Sequence, residues 1–268
     1  MSFCHFAFRR NGFVVLTMDS ADEQNYLTEE AITDLEKKLE QIRDNPEVKG
    51  LVTTCKSGIF CSGLDYDHDA KSEEQAENLA TGVAKVIRLL FLLQVPTVAA
   101  VRGHVTSLGL ALALAHDHVF VWDQAVVRLP EAQLGRRLPD YVPTLLRDKL
   151  SYARLRKLLM LKSQPCTGKE LTGTWWSTHG ADRTRHVVLG KAMDLLYDVP
   201  VGDGANFAKA RQMLCAETWA KVSSTIDKQG PRPTHAELAS HKAEDPFGTS
   251  GRRNEASPER CVLSQYDE

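Results

Sequence analysis

One acidic side chain and two glycine-bearing turns are the places where this chain has residues fit for chemistry. The turn Thr106-Ser-Leu-Gly109 follows the apolar run Thr97–Val101, and Cys61-Ser-Gly-Leu-Asp65 follows the buried-type strand Lys49–Cys55. In a parallel sheet, both turns stand at the carboxyl edge, where ligands bind. Two backbone N–H groups from separate loops that meet on one oxygen make an oxyanion hole, worth about 3–4 kcal/mol per good donor to a developing enolate. Glu131 follows Pro130 after a third strand-like run, with Leu129, Ala132 and Leu134 around it. A carboxyl in apolar surroundings has a raised pKa and can move protons. Taken alone, each feature also has a plain reading: Glu131 as a solvated loop acid, residues 95–117 as an ordinary strand–helix unit.

Other chemistries lack their residues. There is no Walker loop, no G-x-G-x-x-G and no G-x-S-x-G elbow. His116 and His118 stand two apart at the mouth of a strand, but two ligands do not make a metal site. Six cysteines are scattered without a C-x-x-C pair, which suggests neither zinc nor a disulfide framework and fits a reducing compartment. Cys61, inside the first turn, reads as a small buried thiol rather than a nucleophile.

The elements that must position these residues follow from pattern. Phe3–Phe8 and Phe13–Met18 flank Arg10-Asn-Gly12, a hairpin signal. Ile32, Leu35, Leu39 and Ile42 predict an amphipathic helix within 25–45, capped by Thr28. A strand at 49–55, a loop at 56–66, a helix at 72–93 and a strand at 97–101 come next. The chain then breaks at Arg102-Gly-His104 and becomes a buried helix with Thr106 and Ser107 as caps. Strands at 118–122 and from Val126, helices from Leu138 and over 151–161, a short helix opened by Thr167 and one long helix over 204–227 complete the pattern. Phe207, Met213, Leu214 and Trp219 are the expected anchors of that last helix. The alternation argues for an α/β fold with sequential crossovers.

At 268 residues, 43% hydrophobic and 25% charged, the composition is that of a soluble globular protein, and a net charge of −2 gives no reason to expect nucleic acid. Leu89–Val101 is interrupted by Gln94 and Pro96 and is too short for a membrane span. The N-terminus does not read as a secretory signal. After Lys228 the composition turns polar, and 229–268 reads as a flexible tail with room for one short helix at 236–242. Its last residues, Gln265-Tyr-Asp-Glu268, are not a Ser-Lys-Leu address, which leaves a cytoplasmic or peroxisomal location open.

Three ordered segments, Ile59-Phe-Cys-Ser-Gly-Leu-Asp65, Val95-Pro-Thr-Val-Ala-Ala-Val-Arg-Gly-His104 and Leu129-Pro-Glu-Ala-Gln-Leu-Gly135, resemble the enoyl-CoA hydratase/isomerase (crotonase) superfamily. Leu171-Thr-Gly173 and Ala181-Asp182 resemble a later step of its pattern. Gly103-His104 with Ser107-Leu-Gly109, His116-Asp117 and Leu138-Pro-Asp-Tyr141 look most like plant-type peroxisomal Δ3,Δ2-enoyl-CoA isomerases. The resemblance covers about residues 3–225.

It implies an α/β crotonase (ClpP-like) spiral of ββα units over 1–200, a C-terminal helical region with a trimerisation-type helix at 201–228, and a homotrimer or hexamer. It implies an acyl-CoA substrate and no cofactor or metal. The Leu64 and Leu108 N–H groups would hold the thioester carbonyl, and Glu131 would carry a proton from C2 to C4. Ser62, Gly63, Asp65, Ser107 and Gly109 would line the substrate site. The family's hydratases carry a second glutamate on the central helix; Ala111 stands there in this chain, against hydration and for a single-base shuttle. Ser107-Leu108 in the family's glycine-rich turn, Arg128, Arg136 and Arg137 beside Glu131 (read as solvated), and the Trp175-Trp176 pair keep rivals open. Those rivals are another crotonase activity (hydrolase, lyase or hydratase-like) and a non-catalytic acyl-CoA binder.

Overall fold

The computed structural model describes residues 2–131, 133–151, 165–171, 176–179, 185–199 and 202–228. All belong to one compact unit, Met1–Gly230. The expected helix at 151–161, the Ala181-Asp182 step, Trp175 and the 229–268 tail lie outside the described residues.

The chain opens with β1 (Cys4–Phe8) and β2 (Phe13–Met18), an antiparallel pair. Asn11 and Gly12 between them take φ of 75° and 81°, as the hairpin signal requires. Helix α1 (Glu29–Arg43) buries Ile32, Leu35, Leu39 and Ile42, and the Thr28 side chain caps it by accepting from the Ala31 N–H. Each fully buried aliphatic side chain contributes about 1.5–3 kcal/mol of transfer free energy.

Three ββα units follow: β3 (Gly50–Cys55), β4 (Ile59–Cys61) and α2 (Glu73–Leu92); β5 (Thr97–Val101), β6 (His104–Thr106) and α3 (Leu108–Leu114); β7 (His118–Trp122), β8 (Val126–Arg128) and α4 (Tyr141–Lys149). The first strand of each unit joins a six-stranded sheet and the second a four-stranded sheet. With β9 (Cys166–Thr167) and β10 (Trp176–His179), the orders are β1-β2-β3-β5-β7-β10 and β4-β6-β8-β9. All pairings are parallel except β1–β2 and β8–β9.

The larger sheet is covered on both faces, which explains why its central strands read as mostly apolar runs without polar alternation. Val14, Leu16, Leu51, Ala99, Val101, Val119 and Val121 face the main core. The alternating Val15, Val52, Val98, Ala100 and Phe120 face α5 (Arg185–Asp198) through Val188, Ala192 and Leu196. Among the described residues no helix is long and apolar enough to cross a membrane.

Four sequence expectations are corrected. Residues 56–66 are not all loop: β4 lies inside them. The chain does not pass from residue 103 straight into a helix; β6 intervenes, and α3 has only seven residues. Thr167 ends β9 and is followed by a 3-10 turn, Gly168–Leu171. The expected single helix over 204–227 is two, α6 (Gly204–Leu214) and α7 (Ala216–Asp227), broken where Cys215 leaves helical dihedrals at φ −114°, ψ 43°. Of its expected anchors, Trp219 stacks on Phe91 with ring centroids 6.2 Å apart. Met213 and Leu214 are 70% and 72% exposed, because α6 is seated by Arg211 rather than by them.

Candidate active site

β4, β6 and β8 are parallel neighbours, so their carboxyl ends stand side by side. Ser62-Gly63-Leu64 follows β4, Ser107-Leu108 follows β6, and Leu129-Pro130-Glu131 follows β8. The three candidate segments are thus the exits of three adjacent strands in the smaller sheet, not the larger one the sequence suggested. Hydrogen bonds lock the exits together: Thr106 Oγ1 donates to the Ser62 carbonyl at 2.8 Å, and the Ser107 N–H donates to the Arg128 carbonyl at 3.0 Å.

The approach of the first two exits is close enough to dictate residue type. Gly63 has φ +79°, and a Cβ placed on it would lie 2.4 Å from the Ser107 Cβ and 2.9 Å from the Leu108 nitrogen. Only glycine fits, and its peptide to Leu64 therefore lies against the peptide that carries the Leu108 N–H. A Cβ on Gly109 would lie 2.4 Å from the Cys61 carbonyl oxygen, so this glycine seats α3 on β4. Among the described residues, neither the Leu64 nor the Leu108 N–H donates a hydrogen bond. Two free donors on adjoining turns can serve one oxygen. In so short a helix as α3 the macrodipole is small, and the local N–H is what the turn offers.

Ser107 holds φ 56°, ψ −137°. Such a conformation costs a non-glycine residue on the order of 1–3 kcal/mol. The expected cap is absent, since its side chain makes no capping hydrogen bond. Its Oγ is buried and has no hydrogen-bond partner of good geometry.

Glu131 is 1% exposed, and both its carboxyl oxygens are buried and unbonded. Among the described residues no other acidic side chain has both oxygens in that condition. Burial pushes its pKa up, and the Ser107 hydroxyl, the residue's own backbone and the Arg128 guanidinium oppose this without reversing it. Ser107 thus lies near enough to act on the carboxyl, although their oxygens do not close a well-shaped hydrogen bond. The plain reading of Glu131 as a solvated loop acid is overturned. Its turn is pinned by the Arg136 N–H on the Glu131 carbonyl (2.8 Å) and by a left-handed Gly135, φ +63°.

The three arginines divide. Arg128 is half-buried, with Nη2 donating to Gln133 Oε1 at 2.6 Å and Nε buried without a partner, so it is not the solvated residue expected. Arg136 lies 5.1 Å over the Tyr66 ring. Arg137 is exposed and pairs with Asp140 at 3.1 Å.

A cavity of about 380 Å³ opens beside the turns, lined by Leu64, Tyr66 and Leu108, by Ala76–Thr81 positions of α2, by 135–140 and by Lys228. Glu131 does not itself line it; it lies deeper, close enough to Tyr66 for its charge to raise the phenol's pKa after burial has done so. The remaining candidates are structural. Ser62 Oγ donates to Gln24 Oε1 at 3.3 Å, while Asp65 turns away from the donors to accept from the Asp67 and His68 N–H groups and to pair with His68. Burial pushes the Cys61 thiol up to about 12, which fits the inert reading. His116 is buried between Thr53 and the Leu112 carbonyl. Among the described residues no group of three potential metal ligands occurs. Tyr66 and Thr106 were not among the candidate residues; an aromatic two positions past Leu64 was the available signal for the first.

The model of the enoyl-CoA hydratase/isomerase family matches residues 9–172. The enoyl-CoA delta isomerase 2, peroxisomal, of Arabidopsis thaliana is 30% identical over 230 residues, covering 82% of this chain and 89% of the relative. Among solved structures, an Mtb enoyl-CoA isomerase superposes with a TM-score of 0.74 at 18% identity, over 84% of this chain and 96% of that one. The decarboxylase domain of CurF from Lyngbya majuscula does so with a TM-score of 0.68 at 20% identity, over 91% and 94%. These likenesses give the fold as that of the crotonases, and the chain belongs to the enoyl-CoA hydratase/isomerase family.

Proposed function

We propose that this protein is an enoyl-CoA isomerase that moves a double bond from C3 to C2 of an acyl-CoA thioester. The observation that carries the reading is the buried, unpaired Glu131 at the third of three adjoining strand exits, whose first two offer the free Leu64 and Leu108 N–H groups. The thioester oxygen accepts from both N–H groups. Glu131, as carboxylate, takes the C2 proton, and the electron pair of that bond enters a dienolate whose negative oxygen the two donors stabilise. The same carboxyl then returns the proton to C4. The C3–C4 double bond supplies the electrons, and a C2–C3 double bond remains. One proton leaves and comes back, so one carboxyl suffices, and no redox cofactor or metal is called for. Ala111, buried in α3 where the hydratases carry their second glutamate, leaves no side chain to direct water. The peroxisomal Arabidopsis relative supports the activity and, of the two expected settings, the peroxisomal one; a homotrimer or hexamer belongs to the same proposal.

The test is Glu131→Gln assayed on a panel of 3-enoyl- and 2-enoyl-CoAs, with double-bond position and deuterium uptake followed by mass spectrometry. The variant is expected to lose about 10²–10⁴-fold in turnover, the usual worth of a positioned base. Unchanged turnover defeats the proposal. Wild-type exchange at C2 without net isomerisation moves the reading to another enolate chemistry, and acyl-CoA binding with no turnover or exchange moves it to a binder.

A further inference from the structure

Ser107 is the least economical residue in the site. It occupies a backbone conformation suited to glycine, and its neighbour across the turn, Gly63, leaves no room for a second side chain. It is 2% exposed, yet its hydroxyl makes neither a helix cap nor any other well-formed hydrogen bond. The Ser107 N–H is fastened to the Arg128 carbonyl, three residues before Glu131, and both oxygens of the Glu131 carboxyl are likewise buried and unbonded. Two buried polar groups without partners, the Ser107 hydroxyl at the exit of β6 and the Glu131 carboxyl at the adjoining exit of β8, are each costly alone and complementary together.

We propose that Ser107 is a positioning residue for Glu131: its hydroxyl donates to the carboxylate and accepts from the carboxylic acid as the proton moves on and off. A hydroxyl can do both, whereas a backbone N–H or an arginine only donates. That property suits a group that alternates between charged and neutral within one turnover. The inference rests on Glu131 being the proton carrier. The other titratable or charged groups that face Glu131 are the Tyr66 phenol, from the turn after β4, and the Arg128 guanidinium, from β8. Arg128 is engaged with Gln133 and can only donate, and the Tyr66 ring lies under Arg136 with its phenol within reach of the Ser107 hydroxyl, so Ser107 is the hydroxyl that reaches both groups.

The experiment uses Ser107→Gly, which removes the hydroxyl and relieves the backbone, and Ser107→Ala, which removes it and leaves the backbone as it is. The Glu131 carboxyl is titrated by ¹³C NMR in glutamate-labelled protein, its signal assigned by loss in Glu131→Gln. In both variants the titration midpoint is expected to move up. The acid limb of kcat should move with it, kcat should fall about tenfold near neutral pH, the worth of one charge-assisted hydrogen bond, and KM should stay within about twofold. Thermal stability of Ser107→Gly should not fall, which separates this role from a packing role. An unmoved carboxyl midpoint in both variants overturns the proposal. The NMR titration needs no substrate, so a wild-type protein inert toward 3-enoyl-CoA would sink the isomerase reading and still leave the Ser107–Glu131 contact open to this measurement.

Discussion

Glu131 ties reactivity to stability through a single group. Its pKa is raised above 4.5, with burial as the largest cause, and a base must be ionised to take a proton. The rate of isomerisation is therefore expected to fall as the pH drops, with its acid limb above 4.5; a profile flat down to 4.5 contradicts the assignment. Stability runs the other way. A carboxyl whose folded pKa is raised binds its proton more tightly in the native state, so its favourable contribution is full below the unfolded value and is lost as pH rises through the folded one. Glu131→Gln should thus melt higher than wild type at neutral pH, with the gap narrowing in acid, while losing turnover. The identity of Glu131 was legible as a residue type after a strand and a proline. Its burial was not, because that depends on which strand exits flank it, and the Ser107 strain showed in sequence only as a serine in a turn where the family is glycine-rich.

At the scale of elements, what repeats was legible and what is short was hidden. The periodic α1, the capped α2 and the largely apolar β3, β5 and β7 were legible within a residue or two of their ends. β4 and β6 have three residues each, beside serines, glycines or a histidine, and no period can form over three positions. Those short strands carry the candidate site, so its three segments were picked out in sequence while their scaffold was placed on the wrong sheet. The seating of α6 was hidden for a different reason: it rests on a distant contact. The Arg211 guanidinium donates to the carbonyls of Leu90, Phe91, Leu93 and Val95, closing the end of α2 and the link into β5, and to the Asp117 carboxyl at 2.7 Å. Arg211 is 4% exposed. Arg211→Met should cost about 3–5 kcal/mol, because it strands a largely buried carboxylate and several carbonyls. Adding Asp117→Asn should recover part of the loss in urea denaturation; strict additivity of the two changes would show that the pair is not coupled.

For the molecule as a whole, the three ββα units press α3 into the centre, and every residue of that helix is buried. The layer is joined to the larger sheet by His116, 1% exposed, just past the helix end. Its Nδ1 meets the Leu112 carbonyl at 3.0 Å, which requires Nδ1 to donate, and its Nε2 then accepts from the Thr53 hydroxyl of β3 at 2.8 Å. That arrangement exists only for the neutral ring, and burial pulls the pKa down from 6.5 to about 4. With the folded value depressed, the stabilisation is whole above 6.5 and drains away as pH falls toward about 4, by up to roughly 3 kcal/mol. Melting temperature should accordingly fall between pH 7 and pH 4.5 in the wild type and fall less steeply in His116→Gln, whatever that variant's starting stability. Glu131 contributes in the opposite direction over acid pH, so the two effects separate in the single variants: Glu131→Gln should steepen the acid loss, and His116→Gln should flatten it. A melting temperature unchanged between pH 7 and pH 4.5 in Glu131→Gln, where the opposing carboxyl is gone, would mean that the ring is not held neutral, and the central helix would then need another tie to the sheet.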